Sequence, residues 1–232
     1  MRRVLICGKS LLLQVNFITH ASHKLGSKTQ LENSQVSVMA RKSIDLAYAT
    51  PEGWVATALS DFNHFLIDHA NCERKASALA MSFIVRYPDK VKIIPGLIDL
   101  AKEELEHFDE AYQLMRARGL EFSKDEQSPY VNELLKHARH GRHDRFIDRM
   151  LIASVIESRG AERFGLIAQA HPEAEIRSFY ERLYRCELKH AHVFAKMLLD
   201  YVDQDTVYTR LHQINEIEAG IIQKLPWRAA LH

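Results

Sequence analysis

Cysteine is nearly missing from this chain. Its three cysteines, Cys7, Cys72 and Cys186, form no CxxC pair. That excludes a disulfide framework and a cysteine-rich zinc site, and it fits a reducing, cytoplasmic setting. Proline (6) and glycine (9) are also scarce. With few helix breakers and abundant Ala, Leu, Glu, Lys and Arg, the composition favours helix. No apolar run is long enough to span a membrane, so no membrane partner is expected. There is no excess of one charge either. The formal net charge is +1, so no global basic field calls for nucleic acid, although a local patch would suffice. Apolar residues at 47% of 232 positions are ample for a real core.

Residues 1–45 stand apart. Their first acidic residue is Glu32. Met1-Arg2-Arg3 followed by Val4 to Val15 faintly resembles a signal peptide, but Lys9 interrupts the apolar run and no cleavage site follows. The segment is expected to be a poorly ordered extension, with Met39 as an alternative start. Residues 46–232 are expected to form one helical domain.

From Thr50 onward the pattern is helical. Thr50 as N-cap and Pro51 at the first position predict a short helix to about Leu59. Ser60-Asp61 caps a long one ending near Tyr87. The next runs from about Lys90 to Arg118 and stops at Gly119. A shorter helix is predicted over Pro129 to His140, ended by Gly141. Long ones follow over about 143–170 and 172–201, then a last one over about 205–225, closed by Pro226. Nothing alternates with period two over a useful length, so no strand is expected.

Helical rotation of about 100° per residue sorts the long helices into faces. Phe62, Leu66, His69, Glu73, Ala80 and Ile84 share one. Leu97, Leu100, Glu104, Phe108, Ala111 and Met115 share another, with His107 at its edge. Phe146, Met150, Ala153, Glu157, Ala161 and Phe164 form a third. Ile176, Tyr180, Leu183, Glu187, Ala191, Phe194 and Leu198 form the fourth, edged by His190. Each apolar stripe therefore carries a glutamate at its middle. A lone ionised carboxylate there costs several kcal/mol unless it is paired, protonated or bound to a cation.

The order also repeats. Glu73 and Glu104 are 31 positions apart, and Glu157 and Glu187 are 30 apart. Each half reads as helix with Glu, turn, helix with Glu-x-x-His. Two such hairpins joined by a long connection make a four-helix bundle with one crossover, flanked by extra helices. Four Glu and two His converging in its core predict a dinuclear metal site: Glu73, Glu104, His107, Glu157, Glu187 and His190. Carboxylate-rich ligation with one imidazole per metal suits iron or manganese. Four carboxylates balance two divalent ions. By the same face analysis, Glu103, Glu106 and Glu110 are solvated or ion-paired, and Arg159, Arg163 and Lys189 point away from the stripe. His69 reads as a core or pocket histidine, and Cys72 and Cys186 as small buried hydrophobes.

Four stretches are familiar as a set: Phe65-Leu-Ile-Asp-His-Ala-Asn-Cys-Glu73, Lys102-Glu-Glu104-Leu-Glu-His107, Ile156-Glu157-Ser-Arg-Gly-Ala-Glu-Arg-Phe164 and Cys186-Glu187-Leu-Lys-His190. Together they resemble the bacterial tRNA hydroxylase family MiaE, over about Thr50 to Leu225. The resemblance implies a ferritin-like di-iron protein. It further implies hydroxylation of the isopentenyl group of 2-methylthio-N6-isopentenyladenosine at position 37, in the tRNA anticodon loop. Two iron ions, O2 and an external electron donor of reductase or ferredoxin type are implied with it. In several di-iron enzymes an Asp precedes the last ligand Glu and orients a histidine; here that place is Cys186. The rival readings are a ferritin- or rubrerythrin-like iron-storage or peroxide-scavenging protein and a di-manganese catalase-like enzyme. The basic run His137 to Arg145 reads first as a solvated connection and second as a contact to RNA phosphates. Arg86, Lys90 and Lys92 form another candidate patch.

Overall fold

A computed structural model describes residues 45–124 and 126–232. The expected N-terminal extension lies outside the described residues, save for Asp45. Seven α-helices follow in order: α1 (Glu52–Ser60), α2 (Phe62–Arg86), α3 (Ile94–Ala117), α4 (Pro129–Lys136), α5 (Arg142–Ala170), α6 (Ala174–Leu198) and α7 (Gln204–Ile222), with a 3-10 turn at Val91–Ile93. No strand occurs among the described residues, and no helix there is long and apolar enough to cross a membrane.

Local chemistry sets most of the helix ends. The Asp61 carboxylate accepts from His64 N at 3.1 Å and starts α2. Ser128 Oγ accepts from Val131 N, with Pro129 at the first position of α4. Asp203 caps α7 through Thr206 N. α3 ends as Gly119 predicts. Gly119 has φ +70°, Leu120 N donates to Met115 O and Gly119 N donates to Arg116 O, both at 3.0 Å. This is the paired closure that a left-handed residue after the helix allows.

Two residues expected to set helix ends act otherwise, and α3 begins at Ile94, after the 3-10 turn, rather than near Lys90. Thr50 does not cap α1; its hydroxyl is bonded to Glu162 and Arg159 instead. Gly141 does not end α4, which stops at Lys136. It is the residue before α5, with φ +87° and ψ 146°. A turn over residues 137–141 intervenes, because the Arg139 backbone N–H and guanidinium are drawn onto Asp148 of α5.

The hairpins α2–α3 and α5–α6 form the four-helix bundle, and α7 packs on α5 with α4 beside it. Two apolar clusters fill the interior. One holds Phe83, Leu97, Phe146, Met150, Phe194 and Leu198, extended by Val207, Leu211 and Ile214 of α7. The other holds Trp54, Phe65, Leu66, Met115, Phe164, Tyr180 and Leu183. On every long helix the glutamate of the apolar stripe falls between the two. A polar layer therefore cuts the core at mid-height.

Candidate metal centre

α3 and α6 each present a Glu-x-x-His pair into this layer. Glu104, His107, Glu187 and His190 are buried, and one ligand atom from each lies within 4.8 Å of all the others. His190 Nδ1 is 2.8 Å from Glu104 Oε1 and 2.9 Å from Glu187 Oε2; His107 Nδ1 is 2.9 Å from Glu187 Oε1 and 3.5 Å from Glu104 Oε2. Glu73 of α2 borders this group, its Oε2 3.9 Å from His107 Nδ1. Glu157 of α5 is half-buried and stands outside the four-residue cluster, on the wall of the adjoining cavity with Glu73 and Glu187. The structure thus brings four of the six predicted residues together and sets the other two at their border.

The donor set fits divalent metal. Both oxygens of Glu104, Glu187 Oε1 and His107 Nδ1 are buried without a well-formed hydrogen bond, despite separations under 4 Å. Buried polar atoms are almost always hydrogen-bonded. Here the atoms converge on shared space at angles that hydrogen bonds do not accept. The electrostatics agree. Burial raises the Glu73 carboxyl well above its usual range, and repulsion from Glu187 and Glu104 adds to it. Burial does the same to Glu157, with Glu104 and Glu187 again adding. Burial also opposes charge on Glu104, but the His107 and His190 imidazoles overcome it and hold that carboxyl at about 2. His190 is pushed up to about 12, against burial, by Glu104 and Glu187. In effect, imidazole protons balance a negative site that cations would balance better.

Three residues make contacts whose partners the sequence did not settle. Glu103, expected to be solvated or ion-paired, keeps a 60% exposed side chain and places Oε2 2.8 Å from His190 Nε2, a partner the sequence did not name. Cys186 is not an inert buried hydrophobe. It is half-buried, and the adjoining His107 imidazole lowers its thiol pKa. His69 lies 2.8 Å through Nε2 from Glu73 Oε1 and 3.1 Å through Nδ1 from the Tyr180 hydroxyl. Burial, with His107 adding, lowers its pKa to about 3. The neutral tautomer that donates from Nε2 and accepts at Nδ1 satisfies both neighbours. Only His69 had a local signal, one turn before Glu73 on the same face. Arg159 does point away from the layer, but it is fully buried, paired with Glu218 and bonded to Tyr48 O.

A cavity of about 330 Å³ opens beside the cluster between α2, α5 and the start of α4. Leu79, Val131, Ile156 and Phe164 give it apolar walls, and Lys75, Gln127 and Asn132 add polar groups. Leu231 and His232 close one side. That segment is tied down by Leu231 N donating to Asp68 and by Arg163 donating to Leu231 O, both on bundle helices.

Residues 37–232 match the family model described as tRNA-(MS2IO6A)-hydroxylase (MiaE). The chain belongs to this family. A family member from Pseudomonas putida, named tRNA 2-(methylsulfanyl)-N(6)-isopentenyladenosine(37) hydroxylase, is 30% identical over 77% of this chain and 86% of its own length. One of the same name from Salmonella typhimurium is 25% identical, over 75% and 82%. Among solved structures, a Synechococcus protein with aldehyde deformylating oxygenase activity superposes with a TM-score of 0.77 at 30% identity, covering 81% of this chain and 94% of that one. The fold is therefore the all-α bundle expected from the paired motifs, of the ferritin-like type that the resemblance implied.

Proposed function

We propose that this protein is a di-iron monooxygenase that hydroxylates the isopentenyl group of 2-methylthio-N6-isopentenyladenosine at position 37 of tRNA, acting in the cytoplasm with electrons from a reductase or ferredoxin-type partner. The observation that carries the reading is the buried, hydrogen-bond-deficient cluster of two Glu-x-x-His pairs opening on a cavity with apolar walls. Membership of the hydroxylase family supplies the substrate class.

The residues that would hold two iron ions are Glu73, Glu104, His107, Glu157, Glu187 and His190. Bound and reduced, such a centre activates O2 for attack on an unactivated C–H bond, which acid–base groups cannot perform. This chain's own residues do the rest. Glu103 and Cys186 engage the histidines and fix their rotation, and His69 does the same for Glu73. Leu79, Val131, Ile156 and Phe164 keep water from the reacting carbon. Position 37 lies in a single-stranded loop, so its base can enter a pocket without melting a duplex.

The test is to load the protein with iron, supply reductant and O2, and add tRNA carrying the prenylated base. The nucleosides are then analysed by mass spectrometry. Gain of one oxygen on that nucleoside is expected, and its absence refutes the reading. The likeness to the Synechococcus oxygenase favours a second reading, deformylation of an aldehyde; the same preparation given an aldehyde separates the two. Glu104→Ala tests the ligand assignment, with iron per chain expected to fall well below that of the wild type. Unchanged stoichiometry and affinity would overturn it.

A further inference from the structure

At one end of the bundle the charges do not balance. Three acidic side chains there are engaged: Asp148 by Arg139 and Arg210, Asp144 by Arg139, and Asp89 by Arg142. These pairs account for much of the basic run that begins at His137. Arg86 at the end of α2, and Arg145 and Arg149 on α5, have no carboxylate partner among the described residues. Arg145 and Arg149 are four residues apart and share a helix face. The end of α2 meets the start of α5 there, with the Tyr87 and Phe146 rings 4.8 Å apart. Burial lowers the half-buried Arg149 guanidinium below its usual range, and Arg86 and Arg145 add like-charge repulsion. A half-buried arginine flanked by two others with no carboxylate among them is a site shaped for an anion.

Their position says which anion. α2 and α5 run antiparallel along the cavity, and Leu79 and Ile156 both line it. Arg86 is seven residues beyond Leu79, and Arg149 seven before Ile156. Each therefore lies two turns, roughly 10 Å, further along its own helix toward that end of the bundle. Lys90, whose Nζ sits 4.4 Å over the Tyr201 ring, extends the surface. Building on the tRNA-hydroxylase reading, we propose that Arg86, Arg145 and Arg149 dock the phosphodiester backbone of the RNA beside the nucleotide that enters the cavity. Contacts to phosphates position the strand without reading its sequence.

The test uses the full chain and an unmodified tRNA transcript, with affinity measured across a salt series. The combined variant Arg86→Gln, Arg145→Gln, Arg149→Gln is expected to bind at least tenfold more weakly. Its log–log salt slope is expected to be smaller by about one per lost contact. Three Arg→Lys changes should restore most of the slope, which a folding defect would not. Arg185→Gln, an exposed arginine paired with Glu181 on α6, should change neither quantity. Unchanged affinity and slope in the triple Gln variant overturn the proposal, as does a wild type that binds no RNA. A wild type that binds with the expected slope yet adds no oxygen leaves this surface standing and removes the hydroxylase reading alone.

Discussion

Glu103 and Glu104 are adjacent in sequence, yet one is largely exposed and the other buried. Both end at His190, Glu104 on the inner nitrogen and Glu103 on the outer. An acceptor on the outer nitrogen fixes which nitrogen of an imidazole is free for a metal. Glu103→Ala is therefore expected to weaken iron binding by roughly tenfold to a hundredfold. The thermal midpoint of the metal-free protein should hardly move, because the side chain contributes little to the core. Anaerobic Fe(II) titration beside a melting curve separates the two effects; full-affinity binding would show that Glu103 is only a surface charge. Helical rotation was enough to tell Glu104 from Glu103. It was not enough to show that Glu103 reaches a histidine on α6, since that depends on how far α3 is turned toward its neighbour.

The joint between α4 and α5 is set by two features of different kinds. Gly141 holds φ +87° with nothing within 4 Å of where a Cβ would stand, so the demand is purely one of backbone conformation. Gly141→Ala is expected to cost about 1–3 kcal/mol, seen as a lower thermal midpoint with the fold retained. Asp148 is the second feature. It is fully buried and bound by Arg139 and Arg210, so it ties the 137–141 turn and α7 to α5. Burial would raise its pKa, but the two guanidiniums and the Arg139 N–H outweigh burial and hold it below the usual carboxylate value. The unfolded chain thus takes up this proton at higher pH than the folded one. The contribution to stability is complete above about pH 4 and is lost as pH falls through the folded-state value. Asp148→Asn should cost about 1–3 kcal/mol at neutral pH. The gap between variant and wild type in urea unfolding should narrow below about pH 4; a gap independent of pH would contradict this account. Helix existence was legible in both halves of the chain, as was the stop at Gly119. The α4–α5 joint was not, because a glycine serves equally at either end of a helix and the Arg139–Asp148 contact that chooses is tertiary.

Across the whole molecule, a layer of carboxylates and imidazoles separates two apolar clusters that would otherwise be continuous. Three buried glutamates, with the half-buried Glu157 beside them, oppose folding when no cation is present. Metal that binds only the folded chain must therefore stabilise it. With free Fe(II) at a hundred times its Kd, linkage gives about 2.7 kcal/mol. For a chain of this size that is a rise of roughly 5–10 °C in thermal midpoint. Anaerobic calorimetry with and without Fe(II) reads it directly, and an unchanged midpoint would remove the metal from this layer.

The repeated motif, the apolar stripe around each glutamate and the helix-breaking residues were written in the sequence, because helical periodicity is a local property of the backbone. They determined an all-α bundle with a polar layer, and they picked out Glu73, Glu104, His107, Glu157, Glu187 and His190 as its candidate ligands. The tertiary structure decided what each polar group meets: Glu103 with His190, Cys186 with His107, Tyr180 with His69, Arg159 with Glu218. It also decided which arginines are left unpaired. Those pairings depend on the rotation and register of helices far apart in the chain, which packing of the whole core sets and no single stretch encodes.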